Sequence, residues 1–303
     1  MLEIKNLNVS FKKGNKKIRV INDLSLNIPE NNIVGLVGES GSGKSTIAKA
    51  IIGVINYSGK IIFRGEKIEN RDLNFYKNIQ MIFQNSYGSL NPRLSIKKIL
   101  EEPILNFKIV SRKAIPNFIK NLMKEVGLKE DIVQRTPEEL SGGQLQRIAI
   151  ARAISVNPKI LIADEPMSGL DMSIKAQIVN LFMKLHGEKN FSILLISHDL
   201  NLIGFLSDYI YVIFKGEIVE RGKREEILLN KKHPYTRLLF ESSPSTWKGK
   251  ESIGKVDINI KRKTTSNCPF ATICENFSKK CERENIEERK ISSTHFVRCI
   301  KTI

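Results

Sequence analysis

Residues Gly38 to Thr46 read GESGSGKST and sit directly between an apolar run, Ile33 to Val37, and a segment with helical spacing. Few folds accommodate a strand that ends in a glycine-rich turn and reopens as a helix. The arrangement matches G-x-x-x-x-G-K-[ST], in which the glycines let backbone N–H groups turn inward around phosphate oxygens. Gly38, Gly41 and Gly43, with Ser40 between them, form the expected cradle. The helix opening near Lys44 adds its positive dipole end to the same anion site. Lys44 is expected to reach the β- and γ-phosphates of a nucleotide, Ser45 to ligate Mg²⁺ and Thr46 to assist at the α-phosphate.

The rest of the chain is consistent with a sheet built around that strand. Short runs rich in Ile, Val and Leu recur at Ile79 to Phe83, Ile160 to Ala163, Ile193 to Ile196 and Tyr209 to Phe214, and read as buried parallel strands. Helix-period segments separate several of them; after Asp171, the residues Ile174, Ile178, Leu181, Phe182 and Leu185 fall on one face. Strands alternating with helices predict an α/β sheet covered on both sides. Between Ser95 and Val156 the alternation stops and helical spacing takes over, as for a helical insertion. The N-terminal MLEIKNLNVSF alternates like a half-buried strand and lacks the zones of a signal peptide. No run approaches the roughly 18 apolar residues of a membrane helix, so the chain is not expected to cross a bilayer. The formal charge of +17 invites an anionic partner, whether nucleotide, nucleic acid or membrane surface, without choosing among them.

Ile160 to Glu165 reads ILIADE, a strand ending in two carboxylates. Asp164 is placed to hold Mg²⁺ and Glu165 to polarise an attacking water. These features are common to many nucleotide-binding proteins, whereas Leu140 to Gln144 reads LSGGQ ahead of an apolar helix, LQRIAIARAI. That segment resembles the signature of the ATP-binding-cassette proteins. Ser141 caps a helix whose glycines, Gly142 and Gly143, expose N–H groups beside Gln144, making a second anion site without a lysine. The resemblance covers about residues 1–241 and implies a P-loop NTPase with a RecA-like α/β core, an antiparallel β subdomain and a helical signature subdomain at about 86–156. It also implies that Gln84 senses Mg²⁺ and the lytic water, that His198 is the switch histidine and that Asp171 in SGLD speaks to the opposite subunit. Gly169 stands where alanine is commoner in that loop and is expected to loosen it. Phe11 matches the aromatic that stacks on adenine; taken alone it reads as a core residue.

Two further segments narrow the resemblance. NSYGSLNPRLSI follows Gln84, and KKHPYTRLLFES follows the last strand-like run; both resemble the peptide and nickel importers, in their second-cassette type. The resemblance implies uptake of oligopeptides or dipeptides, with nickel or another metal chelate as the alternative cargo. It implies a heterodimer with a second, related cassette subunit, two transmembrane permease subunits, an extracellular substrate-binding protein and a peripheral place on the cytoplasmic side of the cell membrane. A nucleic-acid-associated cassette ATPase would suit the charge, but such proteins carry paired cassettes or long coiled-coil arms, so no nucleic-acid partner is expected. Residues 242–303 are expected to form a polar linker and a small tail. The tail holds all four cysteines, Cys268, Cys274, Cys281 and Cys299, in the pattern C-x5-C-x6-C-x17-C. Its resemblance to the subfamily's C-terminal segment implies a [4Fe–4S] cluster, while zinc and incidental thiols remain alternatives. With few apolar residues of its own, this tail is expected to gain little from burial and to depend on a bound cluster for its fold.

Overall fold

The computed structural model describes residues 1–242, 266, 268–283 and 286–301; the linker expected after Ser242 lies outside them. The chain divides into two compact units, 1–68 together with 195–303, and 69–194.

The first unit opens with β1 (Leu2–Lys13) and β2 (Lys16–Ile28), which pair antiparallel from Leu2↔Ile28 to Lys13↔Lys16. Alternation, reset by irregularities in the pairing between Ile4 and Ser10, puts Leu2, Ile4, Leu7 and Val9 of one strand and Ile21, Leu24, Leu26 and Ile28 of the other into the core. β3 (Ile33–Val37) is buried throughout, and the glycine-rich turn leads from it into α1 (Lys44–Ile52). β4 (Ser58–Phe63) and the short β5 (Glu66–Lys67) complete an antiparallel sheet in the order β2-β1-β4-β5.

The second unit begins with α2 (Leu73–Asn78) and β6 (Ile79–Ile82). Helices α3 (Ile96–Asn106), α4 (Ile115–Glu125) and α5 (Gly142–Ile154) follow without an intervening strand, as the helical spacing predicted. In α4, Ile115, Ile119, Leu122 and Met123 form the buried stripe. β7 (Ile160–Asp164) lies parallel to β6, from Ile79↔Ile160 to Ile82↔Ala163. In α6 (Met172–Lys189), Ile178, Leu181, Phe182 and Leu185 are buried. β8 (Ser192–Ser197) carries the chain back to the first unit.

There α7 (Leu200–Leu206) precedes β9 (Tyr209–Phe214), which runs parallel to β3 and antiparallel to β10 (Glu217–Lys223). Two helices, α8 (Arg224–Leu229) and α9 (Pro234–Glu241), come next. The described tail contains a short α10 (Lys280–Arg283) and two short strands, β11 (Arg289–Lys290) and β12 (Phe296–Val297).

The tail departs from the expectation of a segment with little to hold it. β12 adds to the edge of β10, pairing Glu220↔Val297 and Arg221↔Phe296, and β11 adds to β12. Arg221 grips Glu288 through two hydrogen bonds of 2.7 and 2.6 Å, and its guanidinium lies 3.9 Å from the centre of the Phe296 ring. Arg298 pairs with Glu217. The phenol of Tyr209 donates to the Thr294 carbonyl at 2.7 Å. Phe270 is 3% exposed, with its ring 5.3 Å from Phe214 and 5.6 Å from Tyr235. Counting apolar residues within the tail missed these attachments because their other halves lie in the cassette.

Candidate functional site

In the glycine-rich turn, Gly41 and Gly43 both take the left-handed region, at φ +80° and +105°. Few L side chains adopt such a conformation, and a Cβ on Gly43 would come within 2.6 Å of the Ile21 side chain. The Lys44 ammonium, buried at 6% exposure, donates to the carbonyls of Gly38 at 2.7 Å and Glu39 at 2.8 Å. Its charge is thereby held over the loop. Ser40 and Gly41 are exposed, while Ser45 and Thr46, in the first turn of α1, are half-buried.

Asp164 ends β7 and is 3% exposed. Glu165 follows at 8% exposure with φ 48°, a left-handed conformation that is strained for a side chain of this size. Strain of this kind costs about 1–3 kcal/mol and gathers at functional sites. The Glu165 carbonyl also accepts from the Ser168 amide, closing a tight turn.

Downstream, Gly169 has φ +75°, and a Cβ there would meet nothing within 4 Å. Glycine in place of alanine predicts a looser loop. The backbone here uses the left-handed region that glycine favours, so the residue fits a defined turn rather than slackening one. Asp171 is exposed at the N-cap of α6.

Ser141 and Gln144 build a reciprocal capping box at the start of α5. The Ser141 hydroxyl accepts from the Gln144 amide at 3.4 Å, and the Gln144 side chain accepts from the Ser141 amide at 3.0 Å. Gln144 is thus a structural half of this helix start, a role legible in the S-x-x-Q spacing. A Cβ on Gly143 would lie 2.7 Å from the Ile174 side chain, so the signature turn approaches α6 closely. Gln84 is exposed after β6. The loop behind it is tied to α5 by a Ser86–Gln146 hydrogen bond and by Arg152, which donates to the Ser89 carbonyl at 2.9 Å.

His198 is exposed on the turn between β8 and α7, next to Asp199, whose carboxylate caps α7 by accepting from the Asn201 and Leu202 amides. Phe11 stands 43% exposed near the tip of the β1–β2 hairpin, opposite Ile18 at 45%. The core reading of this residue is therefore wrong, because the hairpin outruns the layer it packs on.

In the tail, Cys268, Cys274, Cys281 and Cys299 all line one small apolar cavity of about 20 Å³ and stand as thiols rather than disulfides. Burial, and then the other cysteines, push the Cys274 thiol up to about 12 and the Cys299 thiol up to about 11. Among the described residues, no group of three or more His, Cys, Asp or Glu side chains is arranged so that it could hold a metal ion.

Comparison with known proteins decides the family. The model of the ABC transporter family matches residues 21–168, and that of the oligopeptide/dipeptide transporter C-terminal region matches residues 219–281. The oligopeptide transport ATP-binding protein OppF of Streptococcus mutans is 45% identical over 251 residues, 80% of this chain and 82% of that one. This chain belongs to the ATP-binding subunits of the oligopeptide and dipeptide ABC transporters. OppF of Haemophilus influenzae is 36% identical with 100% of this chain and 97% of its own covered, and the dipeptide transport ATP-binding protein DppF of Lactococcus lactis is 43% identical over 254 residues, 81% of each chain. Among solved structures, the dimeric post-hydrolysis state of the ATP-binding cassette MJ0796 bound to ADP and Pi superposes with a TM-score of 0.67 at 30% identity, covering 74% of this chain and 99% of that one. As an ABC-family ATPase, the chain uses ATP and Mg²⁺ and couples hydrolysis to transport. No helix among the described residues is long and apolar enough to cross a membrane.

Sequence reading did not single out Glu220, His233, Tyr235, Phe270 or His295 as individual residues. The HPYT wording marked the region of two of them, but nothing local marked the partners of any.

Proposed function

We propose that this subunit powers the uptake of oligopeptides or dipeptides, working with a second cassette subunit on two permease subunits fed by an extracellular binding protein. It would sit peripherally on the cytoplasmic face of the membrane. The observation that carries the pairing is the presence of two long helices with starts suited to anions. α1 has a buried lysine in its first turn, whereas the first turn of α5 has a capping box, two glycines and no cation. A lysine-free anion site suits a phosphate already held by another chain.

On this reading Gly38, Ser40, Gly41, Gly43, Lys44 and Thr46 hold the phosphates and Phe11 stacks on the adenine. Ser141, Gly142, Gly143 and Gln144 face the nucleotide of the partner cassette, and Asp171 contacts that partner. The buried carboxylate of Asp164 is the hard oxygen donor that Mg²⁺ takes, with Ser45 and Gln84 completing the set. Mg²⁺, when bound, neutralises phosphate charge. Glu165 accepts the proton of the attacking water and His198 orients it. Specific ATPase activity of the purified full chain should fall steeply on dilution and recover when the partner cassette and permeases are added. Turnover strictly proportional to enzyme concentration down to high dilution would contradict the shared site.

We also propose that Cys268, Cys274, Cys281 and Cys299 hold one [4Fe–4S] cluster. Four thiols lining a single apolar cavity supply the soft donor type that iron–sulfur centres use, and because they are not arranged here to hold a metal ion, the reading requires them to draw together. The thiolates would close around the group, which would supply a cross-link over long sequence separations. Anaerobically purified protein is expected to be brown, with broad absorption at about 400 nm that Cys274→Ser bleaches. Stoichiometric zinc without iron or sulfide would refute the cluster.

A further inference from the structure

The HPYT segment, so far used only as a family mark, connects the tail to the phosphate loop. His233 is the N-cap of α9, and its Nδ1 accepts from the Tyr235 amide at 3.0 Å. Burial drives the His233 imidazole down to about 4, which keeps that nitrogen unprotonated and able to accept. The cap fixes the first turn of α9 and with it the fully buried Tyr235 side chain. The Tyr235 ring packs 4.5 Å from Phe214 and 5.6 Å from Phe270. Its hydroxyl accepts from the Glu39 amide at 3.0 Å.

That amide belongs to the Gly38–Glu39 peptide, whose other end is the Gly38 carbonyl that receives Lys44 Nζ at 2.7 Å. A trans peptide is a rigid plane, so restraining its N–H restrains its C=O. The Glu39 carbonyl, one peptide further on, accepts from both Ser42 N–H and Lys44 Nζ. The phenol thus anchors the start of the loop at the point where the lysine is placed. Burial raises the Tyr235 pKa, so the group stays a neutral phenol with a lone pair for Glu39. Phe270 comes from the cysteine-bearing segment, two residues after Cys268, and closes the ring's pocket.

We propose that Tyr235 is a positioning residue for nucleotide binding: its hydroxyl, held in place by Phe214 and by Phe270 of the tail, orients the Gly38–Glu39 peptide that sets Lys44. This rests on the reading of Gly38–Thr46 as the phosphate site. It also makes the tail part of the nucleotide site without touching the nucleotide.

The test is Tyr235→Phe in the full chain, which keeps the ring and removes the oxygen. Titration with a fluorescent ATP analogue should show affinity about three- to ten-fold weaker, the span of one net hydrogen bond. In the assembled transporter, KM for ATP should rise by a similar factor while kcat at saturating ATP holds. A purely structural role in α9 would not divide the effect in this way. Phe270→Leu, which keeps an apolar side chain but vacates part of the wall, should weaken binding in the same direction. Combined with Tyr235→Phe it should add little, because both act through one hydroxyl. If Tyr235→Phe does not fold, Phe270→Leu with unchanged affinity overturns the proposal. Wild-type affinity in folded Tyr235→Phe, or a fall in kcat with KM unchanged, also overturns it. Failure of the wild-type chain to bind the ATP analogue at all would instead refute the phosphate-site reading.

Discussion

Glu165→Gln should abolish turnover while leaving ATP binding intact. The amide has nearly the shape of the carboxylate and keeps hydrogen-bonding capacity, but it cannot accept the proton of an attacking water. Loss of a general base lowers a rate by ~10²–10⁴-fold, about 3–5 kcal/mol of barrier. Glu165 is held at φ 48° directly after β7, a left-handed conformation that a glycine would adopt more cheaply. Because glutamine meets the same backbone strain, the variant should unfold at nearly the wild-type temperature. ATPase close to wild type in the fully assembled transporter would remove Glu165 from the reaction.

The largest effect on stability is expected at Glu220, far from that chemistry. Its side chain is 0% exposed and accepts from the Lys232 amide at 2.7 Å and the His233 amide at 2.9 Å, with His295 Nε2 at 2.7 Å from Oε1. One carboxylate therefore satisfies the loop before α9 and a residue of the tail. Glu220→Ala strands these buried partners and should destabilise the fold by about 3–5 kcal/mol. Urea unfolding would read this as a lower midpoint, and limited proteolysis should cut first in the tail, where His295 has lost its anchor. Glu220→Gln, which retains one acceptor oxygen, should fall between the two. A midpoint for Glu220→Ala equal to wild type would show that the carboxylate does not hold this corner together.

The parts of the molecule legible in sequence are those in which neighbouring residues carry the whole signal. Ile33 to Val37 and Ile160 to Ala163 are continuous apolar runs, and the structure has buried strands over both. The start of α5 could be read because Ser141 and Gln144 are each other's caps, three positions apart. Phe11 was ambiguous because alternation along β1 gives no sign of where the hairpin leaves its packing layer. Local pattern also gives no sign that Glu165 lies in the left-handed region, since that depends on the turn its neighbours make. The attachment of the tail was the least legible. Glu220 and His295 are 75 positions apart, Glu217 and Arg298 are 81 apart, and a single polar residue does not identify so distant a partner.

The division of the first unit between 1–68 and 195–303 bears on how the molecule is made. On a ribosome, 69–194 emerges as one continuous stretch and has all of its own residues while the second half of the first unit is still to come. β1, β2 and β3 emerge earlier, yet β3 must wait for Tyr209 to Val212, and the free edge of β10 must wait for Phe296 and Val297. Until those residues arrive, an unpaired strand edge is available to other chains, the situation that promotes misassembly. A message broken after the codon for Thr46 but before those for Phe296 and Val297 would thus yield a chain with its phosphate loop encoded and the edge of β10 uncovered. The strand that those two residues cover is joined through β9 to β3, which leads into the phosphate loop.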